Sequence, residues 1–170
     1  MDRGSTSGFQ TEVVKDANRP FHLLEVAFDS GTVYLSDGFI PVTYDSNTYN
    51  PTGHFLAFSD ITESNQLSIE SITITLSGVE QTYSSLLLSE DYLDREVKIY
   101  KAFLNSSNAL VSDPLQIFAG RINDALINED NNSNTAAISI TCSSQFVNFE
   151  KTNGRYTNLE SQQTFFSDDT

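Results

Sequence analysis

The sequence predicts a mainly β fold: an antiparallel β-barrel or sandwich carrying two or three short helices. Three observations predict it. Short runs rich in Val, Ile, Thr, Tyr and Phe recur between turn-forming clusters of Asn, Asp, Ser and Gly, as strands in a meander require. Several of these runs alternate apolar and polar residues, the period of a strand with one buried face. Helical spacing appears only in two or three brief stretches, one of them a single turn after "TAAISITCSS", too short to build a helical layer.

Taken in order, residues 1–8 are rich in Gly and Ser and read as a flexible N-terminus. The following "FQTEVVKDANRP" predicts a short helix with Phe9, Val13 and Ala17 on an inward face, Val14 flanking it, Glu12 and Lys15 in solvent, and a stop at Asn18, Arg19 and Pro20. "FHLLEVAF" is apolar at both parities and predicts a strand covered on both faces, central in its sheet. "DSG" turns it into "TVYLSD" as a hairpin. "GFIPVTYDSNTYNP" predicts two short strands about Asp45, Ser46 and Asn47, and "HFLAFSDITES" is partly extended. In "LSIESITITLSG" the apolar parity changes near Glu70 and Ser71, which predicts a bulge or a crossing between sheets.

Val79, Tyr83, Leu86 and Leu87 then fall at helical spacing and predict a turn or two that plugs the open end of the sheet. "REVKIYKAFL" is a strand whose lysines, Lys98 and Lys101, fall on opposite faces, as on an exposed edge strand. A long connection, "NSSNALVSDP", leads to "LQIFAGRINDALINED", where Gly120 marks a bulge or a close backbone approach. A polar turn, "NEDNNSN", returns the chain through "TAAISITCSS". The β-rich domain is bounded at 9–150, with 151–170 as an irregular tail. The strands number roughly nine or ten.

Composition narrows the function. The chain has 170 residues, 12 Phe, 7 Tyr and no Trp, enough for one packed core. One cysteine, Cys142, excludes an intramolecular disulfide and any multi-thiolate metal centre. No apolar run is long enough for a membrane span, and the first residues lack the apolar core of a signal peptide. The formal charge is -14, from 9 Lys and Arg against 23 Asp and Glu. No Lys or Arg lies between Arg19 and Arg95, so a phosphate-reading, sequence-specific nucleic-acid surface is excluded.

No catalytic signature appears. His22 and His54 are the only histidines, and neither stands in a local nucleophile motif; His22 reads as a hydrogen-bonded strand residue. "NEDNNSN" is rich in oxygen ligands but lacks the Gly and Glu that a calcium loop of the EF-hand type needs, so a solvated turn is preferred. No catalytic, cofactor-binding or metal-ligating residue is therefore expected. Tyr34, Tyr44, Tyr49 and Phe55 could form a stacking face for a sugar, although a β core uses the same residues.

The order of these elements carries more. The segment "NTYNP", then "SGVEQTYSSLLLSEDYLDREVKIYKAFL", then "FAGRIND" resembles the N-terminal hub domain of siphophage tail-tip proteins, the family of the lambda minor tail protein L and of gene-transfer-agent hub proteins. The resemblance spans residues 9 to 158. It implies a structural role in a virion tail tip or baseplate, assembled in the host cytoplasm without a cofactor. It further implies a ring subunit, expected as a homotrimer, that links the tail tube or distal tail protein to the central fibre, neighbours the tape-measure protein and surrounds the DNA channel. The cysteine-ligated iron-sulfur domain that follows in lambda-like members is not carried over, because its thiols are missing here.

On this reading Tyr92, Arg95, Lys98, Tyr100, Lys101, Arg121 and Arg155 are expected at subunit interfaces, where cations would meet an acidic neighbour. Glu25, Glu63 and Glu70 are expected to line the channel and keep DNA from adhering. The alternative is a monomeric carbohydrate-binding β-module. An enzyme would require a pocket with His22 or His54 beside a carboxylate.

Overall fold

The computed structural model describes residues 5–51, 55–61, 71–77, 85, 87–111, 113–130 and 135–144. They include α1 (Ser7–Val13), β1 (Pro20–Phe28), β2 (Gly31–Ser36), β3 (Val42–Tyr44), β4 (Asn47–Tyr49), β5 (Phe55–Phe58), β6 (Ser71–Ser77), β7 (Glu96–Phe103), β8 (Leu115–Asp130) and β9 (Thr135–Ser144). Seven strands make one antiparallel sheet in the order β2-β1-β7-β8-β9-β6-β5, and β3-β4 is a separate hairpin. The mainly β architecture of the sequence analysis is the observed one.

The sheet curls on itself. β8 is the cause: it pairs with β7 through its first half and with β9 through its second, and the register slips beside Ile117 and again at Asn123. Each extra residue bends the strand and increases its twist. The Asn123 side-chain amide donates to the Ser143 hydroxyl and pins the second bulge. Between the two lies Gly120, where an added Cβ would stand 2.2 Å from the Ser143 carbonyl oxygen and 2.6 Å from the Phe118 ring. The close approach predicted at this glycine is present.

The concave face holds the main core. Ile72, Ile74 and Leu76 of β6 meet Ile138, Ile140 and Cys142 of β9 in register, and Leu24, Val26, Val97, Ile99 and Ile122 complete the cluster. Curling brings the far ends of the sheet together: the Phe58 ring of β5 stands edge-on to the His22 ring of β1, with centroids 4.8 Å apart. Ser85 and residues 87–89 are helical, and Leu87 enters the same core, so the predicted plug is seen at the residue described. This segment carries the chain from β6 across to β7, three places away in the sheet. Val79, Tyr83, Leu86, the parity change at Glu70 and residues 151–170 lie outside the described residues.

Among the described residues, the convex face is covered over β1, β2 and β7. There the β3-β4 hairpin lays Val42 and Tyr49 on Phe21, Leu23, Ala102 and Leu104. Its turn, Asp45-Ser46, has φ of 48° and 64°, the paired left-handed geometry of a two-residue hairpin loop. Asn50 continues the hairpin alongside β2, donating to the Tyr34 carbonyl and accepting from the Ser36 amide. Leu23 and Leu24 are both fully buried on opposite faces, as the doubly apolar "FHLLEVAF" predicts.

Two expectations are corrected. β7 is an interior strand between β1 and β8, not an edge. Its lysines are tolerated because each keeps its ammonium at the margin: Lys98 lies opposite Glu25 and 3.4 Å from Glu96, and Lys101 passes over the Phe103 ring at 5.9 Å. In α1, Glu12 is buried, while Val13 and Val14 are exposed. The helix ends at Val13, with Thr6 capping the Phe9 amide, so its single inward turn presents Phe9 and Glu12. Phe9 meets the Phe103 ring edge-on at 5.1 Å, and the Glu12 carboxylate is neutralised by Lys15.

Candidate assembly surface

The basic residues expected at an interface are found fastening the fold. Arg95 follows a turn at Asp94, whose φ is 61°, and its guanidinium reaches Asp29 on the β1-β2 turn at 2.5 Å and the Asp91 carbonyl at 2.8 Å. Arg121 of β8 donates to the Asp94 carbonyl at 2.7 Å, with the Asp94 carboxylate 3.4 Å away. The Ser30 amide donates to Glu90, and hydrogen bonding from the Ser30 side chain, with smaller help from the Ser30 and Asp29 amides, holds the Glu90 carboxyl below the usual carboxylate range. Tyr92 is half-buried against the main core. Together these contacts moor residues 87–95 to the β1-β2 turn and to β8 at one end of the sheet.

Tyr100 belongs to a different group. It lies under the β3-β4 hairpin with Tyr34, Tyr44 and Tyr49, and the rings of Tyr44 and Tyr100 meet edge-on at 5.8 Å. The Tyr49 hydroxyl donates to Glu25, which faces this same cluster. Burial and the Glu25 carboxylate raise the Tyr49 phenol above its ordinary value, and burial with the same carboxylate raises Tyr100. Glu25, expected on a channel wall, is the polar anchor of the hairpin. Glu63, Glu70, Arg155 and His54 lie outside the described residues.

The possible sugar platform is divided by the fold. Tyr49 is fully buried beneath the hairpin, and Phe55 packs on the concave side of the sheet. His22 does lie beside a carboxylate: its Nδ1 is 2.8 Å from Asp37 Oδ2, and its backbone amide donates to Asp37 Oδ1. These contacts tie β1 to the end of β2, next to the seam with Phe58. A small cavity elsewhere is lined by apolar side chains, among them Phe28, Val33 and Leu87. Burial pushes the Cys142 thiol up to about 12, away from the reactive thiolate. No group of three metal-ligating side chains occurs among the described residues, and none of their helices is long and apolar enough to cross a membrane.

What the described surface offers is a moored segment, residues 87–95, among carboxylates. The chain is 34% identical over 149 residues to the baseplate hub protein pb3 of Escherichia phage T5, a match covering 79% of this chain and 16% of the relative. Along most of its length this chain is therefore similar to a phage baseplate hub protein. The chain spans about one-sixth of the length of that relative. A chain of the virion of a native gene transfer agent particle shares the fold, with a TM-score of 0.67 and 14% identity over 89% of this chain and 49% of its own. No protein-family model matches.

The hub relationship was legible in the order of motifs. The mooring role of Arg95 and Arg121 was not, because their partners Asp29 and Asp94 are set by the crossing from β6 to β7, which no local pattern encodes.

Proposed function

We propose that this chain is a structural component of a bacteriophage tail tip or baseplate, located in the virion and acting by assembly rather than catalysis. The similarity to the T5 baseplate hub protein along most of the chain supports this most directly, and the shared fold with a gene-transfer-agent virion chain is consistent with it. Within that role, the chain is a hub ring subunit, trimeric in the particle, joining the tail tube or distal tail protein to the central fibre around the DNA channel.

A net charge of -14 suits a protein that must sit beside DNA without binding it. The acidity that serves this purpose lies on side chains other than Glu25, which is engaged by Tyr49. Immunogold electron microscopy of source particles, with an antibody to this chain, tests the proposal. Label confined to the tail tip is the expected result. Absence of label on intact and disrupted particles, with the antibody shown to bind the denatured chain, would overturn it.

A further inference from the structure

β8 changes its place in the sheet part-way along. Up to Arg121 it is flanked by β7, and from Gly120 to Asp130 it pairs with β9. On the β7 side the ladder ends at Ile122, whose amide donates to the Arg95 carbonyl at 3.0 Å and whose carbonyl accepts from the Asp94 amide at 2.9 Å. At Asp94, with φ of 61°, the neighbouring chain turns off the ladder. Among the described residues nothing pairs with 124–130 on that side. Bonding alternates along an antiparallel strand, and the bulge at Asn123 moves the alternation by one residue. Asp124, Leu126 and Asn128 therefore bond to β9, while the amides and carbonyls of Ala125, Ile127 and Glu129 face the open side.

An open row of main-chain donors and acceptors fits one kind of occupant, an extended strand. The side chains select its sequence. Ala125 and Ile127 pack toward the concave core, so an added strand must be apolar where it lies beside them. The other face presents exposed Asp124, Leu126 and Asn128, with Leu126 54% exposed, and the nearest cation of the strand, Arg121, is engaged with Asp94. We infer that the open edge of β8 at 124–130 docks a partner strand in which apolar residues alternate with lysine or arginine. Its cations lie over Asp124 and their methylene stems over Leu126. The sequence "DALINED" holds no Lys or Arg, and neither do the sheet's terminal strands, β2 and β5. A second copy pairing through any of these three edges would leave Asp124 without a countercharge, so the carboxylates guard the edge against self-pairing while admitting a basic strand.

Amide hydrogen exchange in the full chain, followed residue by residue by NMR, tests whether the edge is open. The amides of Ala125, Ile127 and Glu129 should exchange about tenfold or more faster than those of Leu126 and Asn128, which β9 protects. Equal protection of the two sets would mean that the edge is already covered, and overturns the inference. So does protection of the three amides that grows with protein concentration, the mark of a second copy on the edge.

A short peptide alternating valine and lysine then probes the occupant. It should bind the full chain and slow exchange at Ala125, Ile127 and Glu129. The same peptide with N-methyl groups along its pairing edge should not bind, because it can no longer donate to the open carbonyls. Glutamate in place of lysine should weaken binding about tenfold, and Asp124→Lys with Glu129→Lys, both at exposed positions, should reverse that preference. Failure of the lysine peptide to bind, protection at another edge, binding that survives N-methylation, or an unchanged preference in the substituted chain overturns the inference. The edge belongs to the fold, so each of these outcomes is separate from the tail-tip reading.

Discussion

The two halves of the sheet are built differently. Strands β6, β9 and the second half of β8 bury one face, and their sequences alternate, as "SITITLS" and "TAAISITCSS" show. Strands β1 and β7 are covered on both faces where the β3-β4 hairpin lies, and there adjacent residues such as Leu23 and Leu24, or Ala102 and Phe103, are all buried. One half owes its burial to curling, the other to an added layer. That layer also brings the polar content: the concave core is almost wholly aliphatic, whereas the hairpin side is a tyrosine cluster around Glu25.

The most severe challenge to this comparison is a pair of substitutions. Leu24→Ala, on the concave side, and Leu23→Ala, under the hairpin, should each cost about 3 kcal/mol in denaturant unfolding, because both side chains are fully buried. A loss confined to Leu24→Ala would show that the hairpin layer contributes little. Gly120→Ala should cost about 2 to 3 kcal/mol, since its Cβ would collide with the backbone of β9 and cannot be relieved by a side-chain rotation. Its melting temperature should drop by about 4 to 12 °C.

On the hairpin side, Tyr49→Phe should cost about 1.5 kcal/mol, by leaving the Glu25 carboxylate without its donor. The alkaline limit separates the halves again. Tyr44, Tyr49 and Tyr100 have raised folded pKa values, so the folded state keeps their protons after the unfolded chain has begun to lose them. Their stabilising contribution is complete below about pH 10 and falls as pH rises beyond it. Tyr49→Phe should flatten that fall, read from unfolding curves at a series of alkaline pH values. Ser46→Gly should give the smallest effect, a gain of about 0.5 kcal/mol, because φ of 64° is a strained value for Ser and an ordinary one for Gly.

Much of this contrast was visible in the sequence. Continuous apolarity in "FHLLEVAF" and alternation in "SITITLS" distinguish a doubly covered strand from a singly covered one. The lysines of β7 suggest an open edge, whereas Lys98 and Lys101 reach the margin from an interior strand. Glu12 misled for the opposite reason: its charge is met within one turn by Lys15, which lets it face inward beside Phe9.

Around residues 87–95 the sequence showed the cations but not their partners within the fold. The first cations after Arg19 mark the segment, yet they are spent on internal carboxylates. In "SLLLSEDYLDRE", no pattern distinguishes Leu87, which is buried, from Leu88, which is not, until the crossing to β7 is known.

A reconstruction of the tail tip from source particles, carried to a resolution at which strands separate, tests the central claim most directly. The account predicts the seven-stranded curled sheet with its β3-β4 hairpin repeated in a ring around the channel. A tail tip in which no density fits this sheet, from particles shown to contain the chain, would contradict it.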